Sequence, residues 1–413
     1  ADGNVTESAG EAMSEYSGIK EKFTVNGIKD GWTDFDGEIE KFPETVQRIP
    51  TKKDEFILAF FSSGTTGYPK LVFHAHDYPA AHIFTAKHWH NLTDTSLHLT
   101  IAETGWAKSM WGKMYGQFTV GAAVFVYDFD RFSADEVLRC IEKYKITSLC
   151  CPPTMYRLFI KEGMGGYDLS SLEYATTAGE ALNPEVFNRF YDFTGLKIME
   201  AFGQTESTVI TVNVRGTVPR PGSMGKPNLL YSVDIVDAGG NPVSAGETGE
   251  VVIRTAGGHT DGLFKGYSNG RETTVPYDPS GVYRTGDTAY RDEDGYYWYV
   301  GRIDDLIKSS GYRIGPFEIE SVLVEHPAVL EAAVTGVPDP VRGQIVKATV
   351  VLTKDYTDAD RESLVKELQN HVKTQTAPYK YPRIIEFVAE LPKTISGKIR
   401  RVEIREKDSE QLK

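Results

Sequence analysis

The 413 residues predict an α/β protein: a large domain with a mainly parallel sheet and an antiparallel β subdomain, then a small mobile C-terminal α+β domain. Three observations carry this prediction. From about residue 55 to residue 200, apolar strand-like runs alternate with helical patterns, as in strands joined by crossover helices. Beyond about residue 220 the helical patterns give way to short strands separated by glycine turns. After residue 303, small helices and strands alternate again over about 110 residues, an ordinary domain length. The expected division is therefore 1–303 and 304–413.

Residues 1–54 alternate short periodic pieces with polar turns, and "RIPTKKDE" reads as a charged connector into the strand "FILAFF". "GAAVFVYD" reads as a buried strand. "SADEVLRCIEKY" reads as a helix capped by Ser133 with Glu136 three residues later. "ITSLCCPPT" is the next strand, ending at prolines. "SVDIVDAGGNPV", "GEVVIRT" and "VYRTGDTAYRDEDGYYWYVGR" form the antiparallel region. In the last region, "PFEIESVLVEHP" reads as a helix and "LEAAVTGVP" as a strand. A second helix capped near Asp358 carries Leu364, Leu368 and Val372 on one face. Ligands on parallel sheets collect at the carboxyl ends of the strands.

Composition narrows the function. A formal charge of −13 lacks the basic footprint that a general nucleic-acid binder needs. Three cysteines, Cys140, Cys150 and Cys151, offer no disulfide framework, so a reducing, cytoplasmic setting is expected. No apolar run approaches the roughly 20 residues that cross a bilayer. The opening "ADGNVTESAGEAM" has no initiator methionine and reads as the start of a fragment.

Residues 62–70, "SSGTTGYPK", combine hydroxyls, unhindered amides and one cation, which suits a polyphosphate. An exposed turn is the alternative. A Walker A loop fails on spacing: two residues separate Gly64 from Gly67, and Leu71 follows Lys70 where Ser or Thr should stand. Three downstream stretches add weight. "FGQTES" at 202–207 offers an aromatic face, a hydroxyl and a carboxylate. "YRTGD" at 283–287 sets Asp287 on a glycine turn, and "PKTISGK" at 392–398 carries Lys398 on a glycine-containing loop.

In conjunction and order these motifs resemble the adenylate-forming superfamily of acyl-CoA synthetases, luciferases and peptide-synthetase adenylation domains. The resemblance runs from about residue 20 to residue 405 and is closest to the medium-chain acyl-CoA synthetases, through "ETGWAKSMWG", "GQTES", "RPGSMGKP", "DDLIKSSGYRIGPFEIE", "HPAV", "PDPVRGQIVKA", "TAPYKYPR" and "ELPKTISGKIRR". Members of that family carry a further amino-terminal stretch ahead of the phosphate loop, which is expected to be missing here.

The resemblance implies a role for each matching position. Ser62, Ser63, Thr65, Thr66 and Lys70 would hold the β- and γ-phosphates of ATP, with Gly64 and Gly67 letting the backbone approach. Gly179 and Glu180 would line the adenine site and Phe202 would stack on the purine. Thr205 would contact the α-phosphate, Glu206 would help hold Mg²⁺, and Asp287 and Arg302 would fix the ribose. Lys398 would reach the carboxylate and the α-phosphate. Asp304 would be the hinge of a small-domain rotation that brings Gly311 and Arg313 to coenzyme A.

The implied reaction is ATP-dependent activation of a medium-chain or aromatic acid, then transfer to coenzyme A. Acetate-activating members of the family carry tryptophan where this chain has Gly203, so a larger acid is expected, with Trp106 as the candidate pocket wall along with Phe202 and the "ATTAG" strand. Loading of a carrier protein and non-catalytic nucleotide binding are the rival readings. A homo-oligomer is compatible with all three. The pairs His74/His76 and His88/His90 are not expected to bind metal, since spacing i, i+2 comes with no third ligand.

Overall fold

Ser133 accepts a hydrogen bond from the Glu136 amide and opens the helix Ala134–Tyr144, as the capping pattern predicts. Its stripe of Val137, Leu138 and Ile141 is buried. Asn183 caps Pro184–Thr194 through the Glu185 amide, with proline at the first helical turn, where a missing N–H costs nothing. Asp360, rather than Asp358, caps Arg361–Gln375 by accepting from Ser363 N. The shift arises because Lys354–Tyr356 forms a 3₁₀ turn and the chain turns once more, Ala359 N donating to Tyr356 O, before the helix begins. Leu364, Leu368 and Val372 are buried on one face, as expected.

The computed structural model describes residues 3–16, 18–62, 70–102, 106–129, 132–255, 260–268, 273–274, 277–278, 280–393 and 398–411. The chain divides into two compact units, residues 1–52 and 53–413. In the first, the helix Thr6–Ser14 precedes two short parallel strands, Phe23–Thr24 and Thr33–Asp34, and a one-turn helix Phe35–Ile39 capped by Asp34.

Among the described residues, the second unit is built on four sheets. The largest has seven strands. Ile198–Gly203, Tyr174–Ala178, Ser148–Cys150, Leu97–Thr100 and Ala123–Phe125 run parallel in that order, and Val209–Val212 and Lys226–Pro227 add an antiparallel edge. Helices Ala134–Tyr144, Pro153–Glu162 and Pro184–Thr194 bury Val137, Ile141, Tyr156, Phe159, Val186 and Phe190 in one core with Leu149, Ala175 and Ile198 of the sheet. "GAAVFVYD" is the edge strand: only Ala123–Phe125 pair, and Val126 is 66% exposed, so that stretch is not the buried strand its composition suggests.

"FILAFF" does not open the parallel sheet. The strand Phe56–Ser62 pairs antiparallel with Lys70–Ala75, which pairs with Gly266–Ser268. Residues 63–69 are too few for a parallel crossover, which takes a dozen or more, so the two strands can only form a hairpin. A second antiparallel sheet joins Ser232–Val236, Gly249–Arg254, Val282–Arg291 and Tyr297–Arg302.

The C-terminal region has its own sheet: Tyr312–Ile314, Ile307–Ser309, Gly343–Leu352 and Val329–Asp339, with Ile384–Val388 parallel to Gly343–Leu352. Ile314, Ile319, Leu323, Val334, Ala348, Leu364 and Leu368 form its separate core. Among the described residues, no helix is long and apolar enough to cross a membrane. The three cysteines are free, with Cys150 and Cys151 buried.

Candidate active site

The register of Val282–Arg291 against Tyr297–Arg302 sets Asp287 opposite Arg302. Gly286, just before Asp287, is at φ 72°, a left-handed conformation that favours glycine, and a Cβ there would lie 2.8 Å from an Arg302 nitrogen. Asp287 is 5% exposed and densely bonded. Its Oδ2 accepts from Gln204 Nε2 at 2.5 Å and Arg302 Nη1 at 3.4 Å, and its Oδ1 accepts from Tyr299 Oη at 3.2 Å. The Thr285 carbonyl takes a second proton from each of Gln204 and Arg302, both at 2.9 Å. Burial pushes the Asp287 carboxyl above its usual range, and Arg302, Gln204, Tyr299 and the charge of Lys398 oppose that push. Residues 287 and 302 thus meet 204 and the field of 398. Phe202 packs beside them, its ring 6.3 Å from Tyr299.

On a second side the hairpin Phe56–Ser62/Lys70–Ala75 brings Ser62 opposite Lys70. Ser63, Gly64, Thr65, Thr66 and Gly67 lie outside the described residues. Lys70 Nζ stands 5.3 Å from the Tyr267 ring, and Tyr267 Oη donates to Glu206 Oε1 at 2.9 Å. Buried His74, four residues along the strand from Lys70, donates from Nε2 to the Thr205 carbonyl at 2.7 Å. Lys70 and Glu206 thus meet at Tyr267, and His74 ties Thr205 to the strand that carries Lys70.

The third side follows the ends of the parallel strands. Gly179, at φ 103°, lies under Trp106: an ideal Cβ at 179 would sit 3.4 Å from the indole. Glu180 accepts from Thr154 Oγ1 at 2.9 Å. Lys108 is 1% exposed, its Nζ 3.4 Å from the Ala178 carbonyl and 5.4 Å from the Trp106 ring. Glu200 is buried behind the 179–182 turn, accepts from Leu182 N at 3.1 Å, and has its carboxyl pushed up to about 8 by desolvation. A Cβ at Gly203 would come within 2.7 Å of the Thr208 carbonyl, so the neighbouring strand itself asks for glycine there.

Asp304 pairs with Arg302 at 3.4 Å. Gly311, at φ 85°, and Arg313 lie on the exposed hairpin of Ile307–Ser309 and Tyr312–Ile314. Among the described residues, no hydrogen bond or ion pair joins them to the Asp287 group.

Glu206 Oε2 has no hydrogen-bond partner among the described residues, and no group of three or more His, Cys, Asp or Glu is set to hold an ion there. One carboxylate beside the hairpin that carries Ser62 and Lys70 would suit Mg²⁺, which takes few protein ligands and relies on substrate phosphates. It does not suit an all-protein metal cage.

Sequence reasoning missed Gln204, Tyr299, Tyr267, His74 and Lys108. For Gln204 a signal existed, a polar side chain between two singled-out positions. The others are set by strand register.

A model of the family described as "AMP-binding enzyme" matches residues 6–268, and one described as "AMP-binding enzyme C-terminal domain" matches 318–398. The chain is 43% identical over 381 residues to the mitochondrial acyl-coenzyme A synthetase ACSM3 of Pongo abelii, covering 92% of this chain and 65% of that protein. It is 42% identical over 398 residues to the mitochondrial acyl-coenzyme A synthetase ACSM4 of Mus musculus, covering 96% and 69%. The chain thus spans slightly less than two thirds of the ACSM3 length.

Among solved structures, the anthranilate CoA ligase AuaEII in complex with anthranoyl-AMP superposes with a TM-score of 0.89 at 31% identity, covering 100% of this chain and 78% of that one. The benzoate CoA ligase of Burkholderia xenovorans LB400 gives 0.82 at 29%, covering 98% and 78%.

Proposed function

The chain belongs to the AMP-binding enzyme family, and from that membership we propose that it activates a medium-chain or aromatic carboxylic acid with ATP and passes the acyl group to coenzyme A. The observation that carries the reading is the convergence on Asp287. Segments around 204, 287, 302 and 398, far apart in sequence, direct donors and cations at one buried carboxylate. A carboxylate so held can accept both hydroxyls of a ribose, and Phe202 lies alongside for a purine. Ser62 and Lys70 open and close the loop proposed for the β- and γ-phosphates, and Gly179 and Glu180 the adenine wall.

In the first step an oxygen of the acid attacks the α-phosphorus, a new P–O bond forms, and the bond to pyrophosphate breaks. Two anions must approach. Lys398 from the small domain and Thr205 at the α-phosphate would stabilise the charge that develops. Mg²⁺, held in part by Glu206, would neutralise the phosphate tail when bound. In the second step the coenzyme A sulfur attacks the acyl carbon of the mixed anhydride, its proton is released, and AMP leaves. Rotation about Asp304 would then bring Gly311 and Arg313 into use.

The division 1–303 and 304–413 belongs to this proposal, and the separate C-terminal core supports it. The names of the relatives, an anthranilate and a benzoate CoA ligase among them, support a bulky acid. The free cysteines suit a reducing aqueous compartment.

ATP–pyrophosphate exchange over a panel of acids tests the reading, with medium-chain and aromatic acids expected to drive exchange. Exchange with no acid would reject it. Transfer of the acyl group to a carrier protein in preference to coenzyme A would favour the adenylation-domain rival, and tight ATP or AMP binding without turnover the non-catalytic one.

A further inference from the structure

We propose that Arg401 is a positioning residue for Lys398: its fork on Glu320 fixes the base of the lysine-bearing loop so that the ammonium meets the Asp287 site. This rests on the reading of Lys398 as the group that serves adenylate formation.

The two ends of the loop are tied to each other on either side of the lysine. Lys393 bridges Ile399, and Arg400 N donates to Pro392 O at 2.9 Å. Ile399 packs with Leu391, Ile404, Ala333 and Val351, which seats one side of the closure on the small-domain sheet. Arg401 then starts the helix Arg401–Gln411, three residues after Lys398. Its Nη2 donates to both oxygens of Glu320 at 2.7 Å, and its Nε donates to Oε1 at 3.2 Å. Glu320 is 8% exposed on the helix Pro316–Glu325, and its Oε1 also accepts from Val334 N at 2.8 Å. One carboxylate therefore ties a helix start, a second helix and a strand together.

Two further contacts point this device at the site rather than at the small-domain core. Arg401 Nη1 lies 3.9 Å from Asp305, the residue after the proposed hinge acid, and Arg405 pairs with the same carboxylate. The charge of Arg401 also acts on Tyr299, whose hydroxyl donates to Asp287. Arg401 and Lys398, three residues apart, thus bear on adjacent members of one hydrogen-bonded group.

A buried ion pair is weak evidence for stability, since an apolar replacement of similar volume often does as well, whereas a bidentate fork sets direction. A lysine at the end of a four-carbon stem gains most from such a fixed base.

The test uses the whole chain with Arg401→Gln, Arg401→Lys and Glu320→Gln, and measures two half-reactions separately. Adenylate formation by ATP–pyrophosphate exchange should fall about a hundredfold in Arg401→Gln, the usual consequence of a misplaced catalytic group. Thioester formation from supplied acyl-adenylate should stay within about threefold, because that step does not use Lys398. Arg401→Lys, which keeps the charge and loses the fork, should fall between. An equal fall in both half-reactions, or unchanged exchange, overturns the proposal.

A third measurement separates this inference from the functional reading. Tryptic cleavage after Lys398, followed by mass spectrometry, should be about tenfold faster in Arg401→Gln, because a loop released from its anchor opens more often. If the unsubstituted chain shows no exchange with any acid, the functional reading falls, and cleavage alone decides the positioning: equal rates overturn it. If Arg401→Gln does not fold, Glu320→Gln, which keeps an acceptor for Val334 N, carries the same measurements.

Discussion

Gln204 donates from its side-chain amide to Oδ2 of Asp287 at 2.5 Å, while Tyr283 Oη donates to Gln204 Oε1 at 2.6 Å. The glutamine is thereby oriented from both ends: its oxygen is taken, so its nitrogen must face the carboxylate. Gln204→Leu should leave the buried Asp287 short of a donor and raise its carboxyl further, since a removed hydrogen bond to the charged form favours the neutral one. The expected result is an increase in KM for ATP of about tenfold, the worth of one charge-assisted bond. Steady-state kinetics at saturating acid checks it, and an unchanged KM would show that Asp287 is held by Arg302 and Tyr299 without help.

Lys398 is exposed, yet its charge acts on Asp287. We expect Lys398→Ala to abolish acid-dependent ATP–pyrophosphate exchange, a loss of at least about a hundredfold. Thioester formation from preformed acyl-adenylate should persist, because that step does not need the lysine. Comparing single-turnover rates of the two half-reactions decides the matter, and equal losses would reject the exchange of catalytic loops by domain rotation.

Local chemistry was legible in the sequence and long-range register was not. Ser133 with Glu136, and Leu364 with Leu368 and Val372, are patterns within a few residues, and each does what its spacing predicts. The family resemblance likewise singles out 287 and 302 together, and the register sets them opposite each other. Tyr267, by contrast, meets Glu206 across 61 positions and His74 meets Thr205 across 131, so nothing near either residue marks its partner. The partner of "FILAFF" is hidden for the same reason. An apolar run announces a strand but not its neighbour, and here the shortness of residues 63–69 was the neglected clue. Lys108 stayed hidden because a lysine in a helical stretch looks solvated until its burial is known.

Glu200 supplies a pH prediction. Its carboxyl, 4.5 in the unfolded chain, is pushed to about 8 by burial, and among the described residues its Oε2 has no hydrogen-bond partner. Between those values the folded chain binds a proton that the unfolded chain has lost, so stability falls as pH rises across the window. The contribution is whole below the lower value and gone once pH passes the upper one. Glu200→Gln removes the titration. Its melting temperature relative to the unsubstituted chain should therefore rise from pH 5 to pH 9, by about a few degrees. A constant difference across that range would mean that Glu200 is not held protonated.

Gly203 lies where the strand Ile198–Gly203 pairs with Val209–Val212 across an irregular register. A Cβ there would stand 2.7 Å from the Thr208 carbonyl oxygen and 3.1 Å from Val209 Cα, both backbone atoms that cannot rotate aside. Gly203→Trp, which by family resemblance should narrow the acid preference toward acetate, would therefore first force the strand pair apart. Gly203→Ala isolates that effect, since a methyl group adds the clash without filling a pocket. It should destabilise the chain by about 1–3 kcal/mol, as overpacking against fixed neighbours does, read from the urea midpoint. Trp106→Ala makes the complementary test, because the indole rests against Gly179 and can be cut back without touching the strand pair. That variant should admit longer or bulkier acids at little cost in stability. An unmoved midpoint for Gly203→Ala together with a preference shifted toward short acids would return position 203 to the pocket wall.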